Sequence, residues 1–427
     1  MNIEISSEDS AYLYDIIDKI IDQCGPRMPC SEREEKAAKI IRNELEKVCD
    51  ETKIETFTCA PRAFLGFIKI NVVMVFISFL LFLFQPKGYG YLIELVFSFL
   101  IFLLNGIAFI IIWNEFFNYR EFIDPIFKKR QSQNVIGKIR GNGEIRKILI
   151  FSGHHDSALQ FNLLRYLKIG YPIVIFLGLG IMITWLIVSL LYFIFTIFTI
   201  ELYHILLTIA YWLLIIGIIP LIALFNFVTP GKTANKVPGA VDNLSAVSIV
   251  LGIGRHLKKH NNLIPKNTEI RLISFGCEEA GLRGAYRYVE AHEENLKKLD
   301  AENVNMDGIM SKNKIKFVEY EPTTRTKHSE EVVEKLIKAA ESVNINAQAF
   351  GSSVKEKLIG QISGGTDAAA FSKANIKAST ISAMELEELM KFYHQPTDTL
   401  DMIERGSLEQ VLKICLGYIN SESLNSK

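Results

Sequence analysis

The chain has 427 residues, 49% of them hydrophobic, with 47 basic and 47 acidic residues and no net formal charge. That balance argues against a nucleic-acid partner, which would normally draw a basic excess, and the length allows two or three domains or one large α/β domain carrying insertions. The six cysteines, Cys24, Cys30, Cys49, Cys59, Cys277 and Cys415, form no Cys-x-x-Cys pair, which points away from a zinc ribbon or a disulfide framework and toward a reducing compartment.

The start, Met1-Asn2-Ile3-Glu4-Ile5, is acidic and leads into an amphipathic stretch, so no cleavable signal peptide is expected. Helical periodicity covers Ser10 to Cys24 and Ser31 to Val48, and Ser31 with Glu34 has the spacing of a capping box. Lys53 to Cys59 alternates as a strand does. Apolar runs follow at about Ala63 to Phe84 and Tyr91 to Trp113, then at about Ile169 to Ile200 and His204 to Val228. Each is long enough to cross a bilayer as a helix. The links Gln85 to Gly90 and Glu201 to Tyr203 pair them into two hairpins, 63–116 and 169–228, so an integral membrane protein with about four transmembrane helices is expected, with the lipid bilayer as a partner. Arg62, Lys69, Arg120, Lys128, Lys129, Arg130, Arg165, Lys168, Lys232 and Lys236 lie on the side of the remaining chain and Lys87 alone on the other. Positive charge stays inside, which places the soluble part on the cytoplasmic side of a cell membrane. Asn105 and Glu94 are too few polar groups to suggest a transport path.

Residues 1–62, 117–168 and 229–427 read as one soluble domain. Strands are expected at Asn134 to Arg140 and Lys147 to Phe151, with Gly141-Asn142-Gly143 as a hairpin turn between them. A helix follows Asp242, then the strand Glu269 to Phe275, a helix over Ala285 to Lys298 and a strand ending near Asp307. Further strands are expected around Lys314 to Glu319, Ala347 to Phe350 and Ala378 to Ile381, with a terminal helix from about Ser407 to Asn420. The alternation implies an α/β fold: a central mixed, largely parallel sheet with helices on both faces, interrupted by the two hairpins, its strand ends opening onto loops that carry a site.

Five segments bring chemistry to those loops. His154 and Asp156 follow the apolar run Ile148 to Phe151, and a His-x-Asp at a strand end suits a metal ligand whose ring is oriented by the nearby carboxylate. Asp242, in Pro238-Gly239-Ala240-Val241-Asp242-Asn243, reads equally as a helix N-cap or as a carboxylate between two cations. Glu278 and Glu279 lie just past a strand, where two like charges repel unless a metal or a proton holds them. Asp307 could be a ligand or a plain Asx turn. His394 is followed by Asp398, a candidate to support its ring from behind.

In this order the segments resemble the co-catalytic, di-zinc metallo-exopeptidase family that includes bacterial leucyl aminopeptidases, glutamate carboxypeptidases and glutaminyl cyclases. The resemblance begins at Gly25-Pro26-Arg27 with Ser31 and Glu34, runs to Asp398-Thr399, and leaves out both hairpins. It implies that Asp242 bridges two metals, that His154 and Asp307 complete one site and Glu279 and His394 the other, that Glu278 is the general base and that Asp156 supports His154 at the catalytic centre. The implied cofactor is Zn²⁺, two per chain, with Co²⁺ or Mn²⁺ able to fill the same ligands. The implied activity is hydrolysis of peptides by an aminopeptidase, through a two-metal-activated water. Glutaminyl cyclase-like acyl transfer and a non-catalytic receptor or scaffold on the same fold are the alternatives. At Gly365-Thr366-Asp367-Ala368 the family commonly has a His after the Asp, and this chain has Ala368.

Overall fold

The computed structural model describes residues 3–85, 90–168, 170–199, 203–229, 231–351, 353, 356 and 364–425. Of the expected links Gln85 to Gly90 and Glu201 to Tyr203, residues 86–89, with Lys87, and 201–202 lie outside the described residues, as does Ile200 at the end of the third apolar run. The chain divides into two compact units: Met1–Pro61, Lys129–Gln160 and Lys232–Lys427 form one, and Arg62–Lys128 with Phe161–Gly231 the other.

In the first unit, β1 (Glu51–Cys59), β2 (Arg130–Arg140), β3 (Lys147–His154), β4 (Thr268–Phe275), β5 (Glu302–Ile309), β6 (Ile315–Val318), β9 (Ala347–Phe350) and β10 (Lys377–Ala383) form one sheet, in the order β1-β2-β4-β3-β5-β10-β6-β9. Its middle, β4-β3-β5-β10, is parallel, while β1-β2, β2-β4 and β10-β6 pair antiparallel. Along β3 the side chains alternate between two buried layers. Leu149 and Phe151 join the core beneath α1 (Ser7–Cys24), α2 (Glu32–Leu45), α8 (Ser245–Lys259) and the terminal helix Ser407–Asn425. Ile148 and Ile150 join Ala285, Tyr288 and Val289 of α9 (Arg283–Lys298) on the opposite face. A strand buried on both faces has no polar side to spare, hence the unbroken apolar run that marks it in the sequence.

The expected β2-β3 hairpin is corrected by this order, because β4 lies between the two strands. The turn residues bond outward: the Gly141 N–H donates to Thr268 O at 2.8 Å, and the Asn267 N–H donates to Asn142 O at 2.9 Å. A glycine-rich turn says that the chain reverses, not which strand it meets. The capping box is half formed. Ser31 Oγ accepts the Glu34 N–H at 3.2 Å, but the Glu34 carboxylate accepts from the Cys30 N–H (2.7 Å), the Cys277 N–H (3.0 Å) and Ser132 Oγ (2.9 Å). Glu34 therefore ties the start of α2 to the loop after β4.

The second unit holds α3 (Ala63–Phe84), α4 (Tyr91–Glu115), α5 (Asn162–Leu167), α6 (Gly170–Ile197) and α7 (Tyr203–Phe225). Spans Ala63–Phe84, Tyr91–Glu115, Gly170–Ile197 and His204–Phe225 are long and apolar enough to cross a membrane. Their polarity is inside out. Ser78, Ser98 and Asn105 are buried, whereas Phe84, Leu92, Trp212 and Ile219 are exposed. Trp185 stacks on Phe79 at 4.1 Å and donates its indole N–H to Ser78 Oγ at 2.7 Å, and Asn105 Nδ2 donates to the same oxygen at 3.1 Å. These bonds satisfy the polar groups from within the bundle, as a hydrocarbon surrounding requires. The unit extends past the expected hairpin limits because Phe161 packs on Phe227 at 4.4 Å, which draws the segment after Gln160 into it.

Candidate metal centre

The site is built at the C-terminal ends of β3, β4 and β5 in the first unit. His154 closes β3, Asp307 lies near the end of β5, and Glu278 and Glu279 come three and four residues after β4 ends at Phe275. Asp242 sits in the segment that leads into α8, and His394 follows the helix Leu386–Phe392 with a left-handed φ of 51°.

Asp242 faces two imidazoles at once. Its Oδ1 lies 3.1 Å from His154 Nε2 and its Oδ2 lies 3.6 Å from His394 Nε2. His394 Nε2 is also 3.3 Å from Glu279 Oε2, and His154 Nε2 is 3.6 Å from Glu278 Oε2. Donor atoms of His154, Asp242 and Glu279, and of His154, Glu278 and Asp307, converge within 4.8 Å. The N-cap alternative for Asp242 is not realised, since α8 starts at Ser245 without a side-chain cap.

A cradle of buried groups fixes these donors. The Asp156 carboxylate is 3.4 Å from His154 Nδ1 and accepts the backbone N–H groups of Glu278 (3.2 Å) and Glu279 (3.0 Å). It thereby orients the imidazole and the acidic loop together, a wider role than support of His154 alone. Asp398 was expected behind His394; its two oxygens accept the N–H groups of Val241 (2.7 Å) and Asp242 (3.2 Å) and so support the segment that carries Asp242. His155 faces elsewhere, with Nδ1 at 2.9 Å from Ser274 Oγ. Burial pushes its imidazole down to about 4, which leaves it neutral.

Arg27, where the family resemblance begins, has a role in the cradle that the residue pattern does not reveal. It is fully buried, and its guanidinium donates to the carbonyls of His155, Gly25, Pro238 and Gly239 at 2.7–3.1 Å. One side chain thus joins the exit of β3 to the loop that delivers Asp242. Gly239 has a φ of 68°, and a Cβ there would come within 2.8 Å of Arg27 Nη2 and of the Asp242 carbonyl, so the approach needs a glycine. Asp367, beside the expected departure at Ala368, is fully buried, with neither carboxylate oxygen hydrogen-bonded among the described residues.

The electrostatics ask for positive charge. Burial, then the charges of neighbouring carboxylates, hold Glu278, Glu279 and Asp307 well above the ordinary carboxylate range. Burial would also raise Asp242, but hydrogen bonds and charge from His154 and His394 outweigh it and hold that carboxyl low. Burial would discharge His154, yet Glu278, Asp156 and Asp242 together keep its imidazole protonated well above the usual range. A proton on His154 stands where a cation would stand. The buried atom Glu279 Oε1 has no hydrogen-bond partner among the described residues, and imidazole plus carboxylate donors suit zinc. The residues fit a divalent metal.

Residues 228–419 match peptidase family M28. That region carries Asp242, Glu278, Glu279, Asp307, His394 and Asp398, while His154 and Asp156 lie before it. A stretch of 175 residues, 40% of this chain, is 31% identical to aminopeptidase YwaD of Bacillus subtilis (strain 168) and spans 35% of that protein, about a third of its length. The fold is similar to that of BSAP, a zinc aminopeptidase from Bacillus subtilis, with a TM-score of 0.53 at 16% identity, covering 96% of this chain and 94% of the other. It is equally similar to a glutaminyl cyclase of Fimbriiglobus ruber, with a TM-score of 0.53 at 12% identity over 98% and 97% of the two chains. At these identities the likeness establishes the fold alone, a mixed α/β sheet with helices on both faces.

Proposed function

We propose that this chain, whose residues 228–419 match peptidase family M28 and whose fold is similar to that of a zinc aminopeptidase, is a membrane-anchored zinc-dependent aminopeptidase. The observation that carries the reading is Asp242, whose two oxygens face two different imidazoles at 3.1 and 3.6 Å. A carboxylate so placed is arranged to be shared between two cations. His154 and Asp307 would complete one set of donors with it, and Glu279 and His394 the other.

Bound zinc would supply Lewis-acid polarisation of the scissile carbonyl and lower the pKa of a water at the site. Glu278 keeps its carboxylate mostly buried, 11% exposed, and 3.6 Å from His154 Nε2. It takes the proton of the attacking water and returns it to the amine that leaves. Asp156 holds both the Glu278 backbone and the His154 ring, so the base and one donor are set by the same carboxylate. Peptides are the substrate class. Cobalt or manganese would occupy the same donors.

The four apolar spans supply the anchor in the lipid bilayer, and the excess of Lys and Arg on the side of the soluble segments supports a catalytic unit on the cytoplasmic face. Purified protein should release N-terminal residues from short peptides, lose that activity with a chelator and regain it with zinc. Metal-replete protein that leaves a peptide library intact would refute the reading. The likeness to a glutaminyl cyclase supports a second one, intramolecular acyl transfer at an N-terminal Gln. Cyclisation of such a peptide without release of residues would decide for it.

A further inference from the structure

Three cysteines that lie far apart in sequence meet behind the acidic loop. Cys30 Sγ is 3.5 Å from Cys59 Sγ and 3.3 Å from Cys277 Sγ, and Cys59 Sγ is 3.4 Å from Cys277 Sγ. Each comes from a different element: the turn before α2, the last residue of β1, and the loop after β4, one residue before Glu278. Cys59 and Cys277 are buried, and Cys30 is the partly exposed corner.

From this triangle we infer a second, separate metal site: a three-sulfur centre for a thiophilic ion, with Cu(I) the form its coordination number favours. The three edges are nearly equal, which suits a single ion bound to all three sulfurs; a disulfide would use two and strand the third. With edges near 3.4 Å each sulfur lies about 2 Å from the centre, so an ion held at a metal–sulfur distance of ~2.3 Å sits about 1 Å out of the sulfur plane. The side chains thus need little movement to accept it.

The surroundings select the ion. Phe57 and Ala280 pack against the sulfurs and offer no donor atom. The nearby Glu34 carboxylate already accepts from the Cys30 N–H, the Cys277 N–H and Ser132 Oγ, and so it braces two of the three cysteine backbones. Zinc in a structural site takes four ligands, whereas soft thiolates in low number suit Cu(I). On binding, each of the three thiols releases its proton to solvent and no electron is transferred. The partly exposed Cys30 marks the route of entry. An ion there would pin the backbone of Cys277, and with it the loop that carries Glu278 and Glu279.

The test is anaerobic titration of the full-length, reduced protein with buffered Cu(I), read by metal content, by X-ray absorption and by thermal melting. The wild type should take up one equivalent with three sulfur neighbours at about 2.3 Å, and its melting temperature should rise. Cys30→Ser, at the exposed corner, and Cys59→Ala should each lose that equivalent and the rise in melting temperature, while Cys415→Ser keeps both. Because zinc bound by imidazole and carboxylate gives no sulfur shell, the readout is independent of the peptidase reading. Wild-type protein that binds no more sulfur-coordinated copper than Cys30→Ser would overturn the proposal.

Discussion

Asp398 and Asp242 are joined side chain to backbone: Asp398 Oδ2 accepts the Asp242 N–H at 3.2 Å, while Oδ1 takes the Val241 N–H at 2.7 Å. The carboxylate that faces both imidazoles is thus held by a second carboxylate that touches neither of its oxygens. Asp398→Ala would leave two buried N–H groups without an acceptor and free the Asp242 segment to shift. Support of this kind is worth roughly 10- to 100-fold in metal affinity. Zinc affinity measured by chelator competition should fall by that factor, and excess zinc should restore much of the activity.

Glu278 and Asp156 should separate when mutated, although both touch His154. Glu278→Gln removes the proton acceptor but leaves the proposed metal donors in place. Turnover should drop by roughly 10²- to 10⁴-fold, the contribution of a positioned base, with metal content unchanged. Asp156→Asn keeps one acceptor where two backbone N–H groups arrive, so it should lower both turnover and metal content. Equal metal loss in the two variants would make Glu278 a ligand and not the base.

The parts of this fold that declare themselves in sequence depend on local periodicity. The four spans, the buried strand before His154 and the helix after Asp242 all fall where apolar spacing puts them. The proposed donors stand out in the sequence because each flanks a recognisable element, Asp242 before a helix and the others at or after the end of a strand or helix. What stayed hidden depends on who meets whom across the fold. Arg27 belongs to the stretch where the family resemblance begins, but nothing in that stretch says that four carbonyls will wrap around its side chain. Asp398 looks like a partner for the nearby His394, because sequence shows proximity along the chain but not the direction of a backbone N–H. Cys30, Cys59 and Cys277 are separated by 29 and 218 residues, a spacing that carries no motif.

Gly284 should be intolerant of any side chain. It is the second residue of α9, and a Cβ there would lie 2.1 Å from the Gly276 carbonyl oxygen and 2.6 Å from Asn134 Oδ1. Asn134 donates to Gly284 O at 2.9 Å and accepts the Gly276 N–H at 3.1 Å, so the clash falls on the clamp that holds the loop before Glu278. Backbone cannot yield as a flexible side chain does, and overpacking of this kind costs about 1–3 kcal/mol or more. Gly284→Ala should lower the denaturation midpoint and reduce turnover, whereas the same change at Gly106, where a Cβ meets nothing within 4 Å among the described residues, should leave turnover unchanged.

Glu55 on β1 should make the first unit sensitive to acid. Burial would raise its pKa, but hydrogen bonds from His292 (2.9 Å) and Lys53 (3.0 Å), with their charges, outweigh burial and bring it down to about 2. A carboxylate lowered on folding stabilises the native state above its unfolded pKa, and that contribution is lost as pH falls through the folded value. The window here runs from about pH 5 down to about pH 2, starting just above the ordinary Glu value of ~4.3. Because the pair is partly solvated, its worth is about 1 kcal/mol. Denaturant melts of wild type and Glu55→Gln should differ by that amount at pH 6 and converge as pH approaches 2. A constant gap across the window would mean that the residue acts through packing and not through its charge.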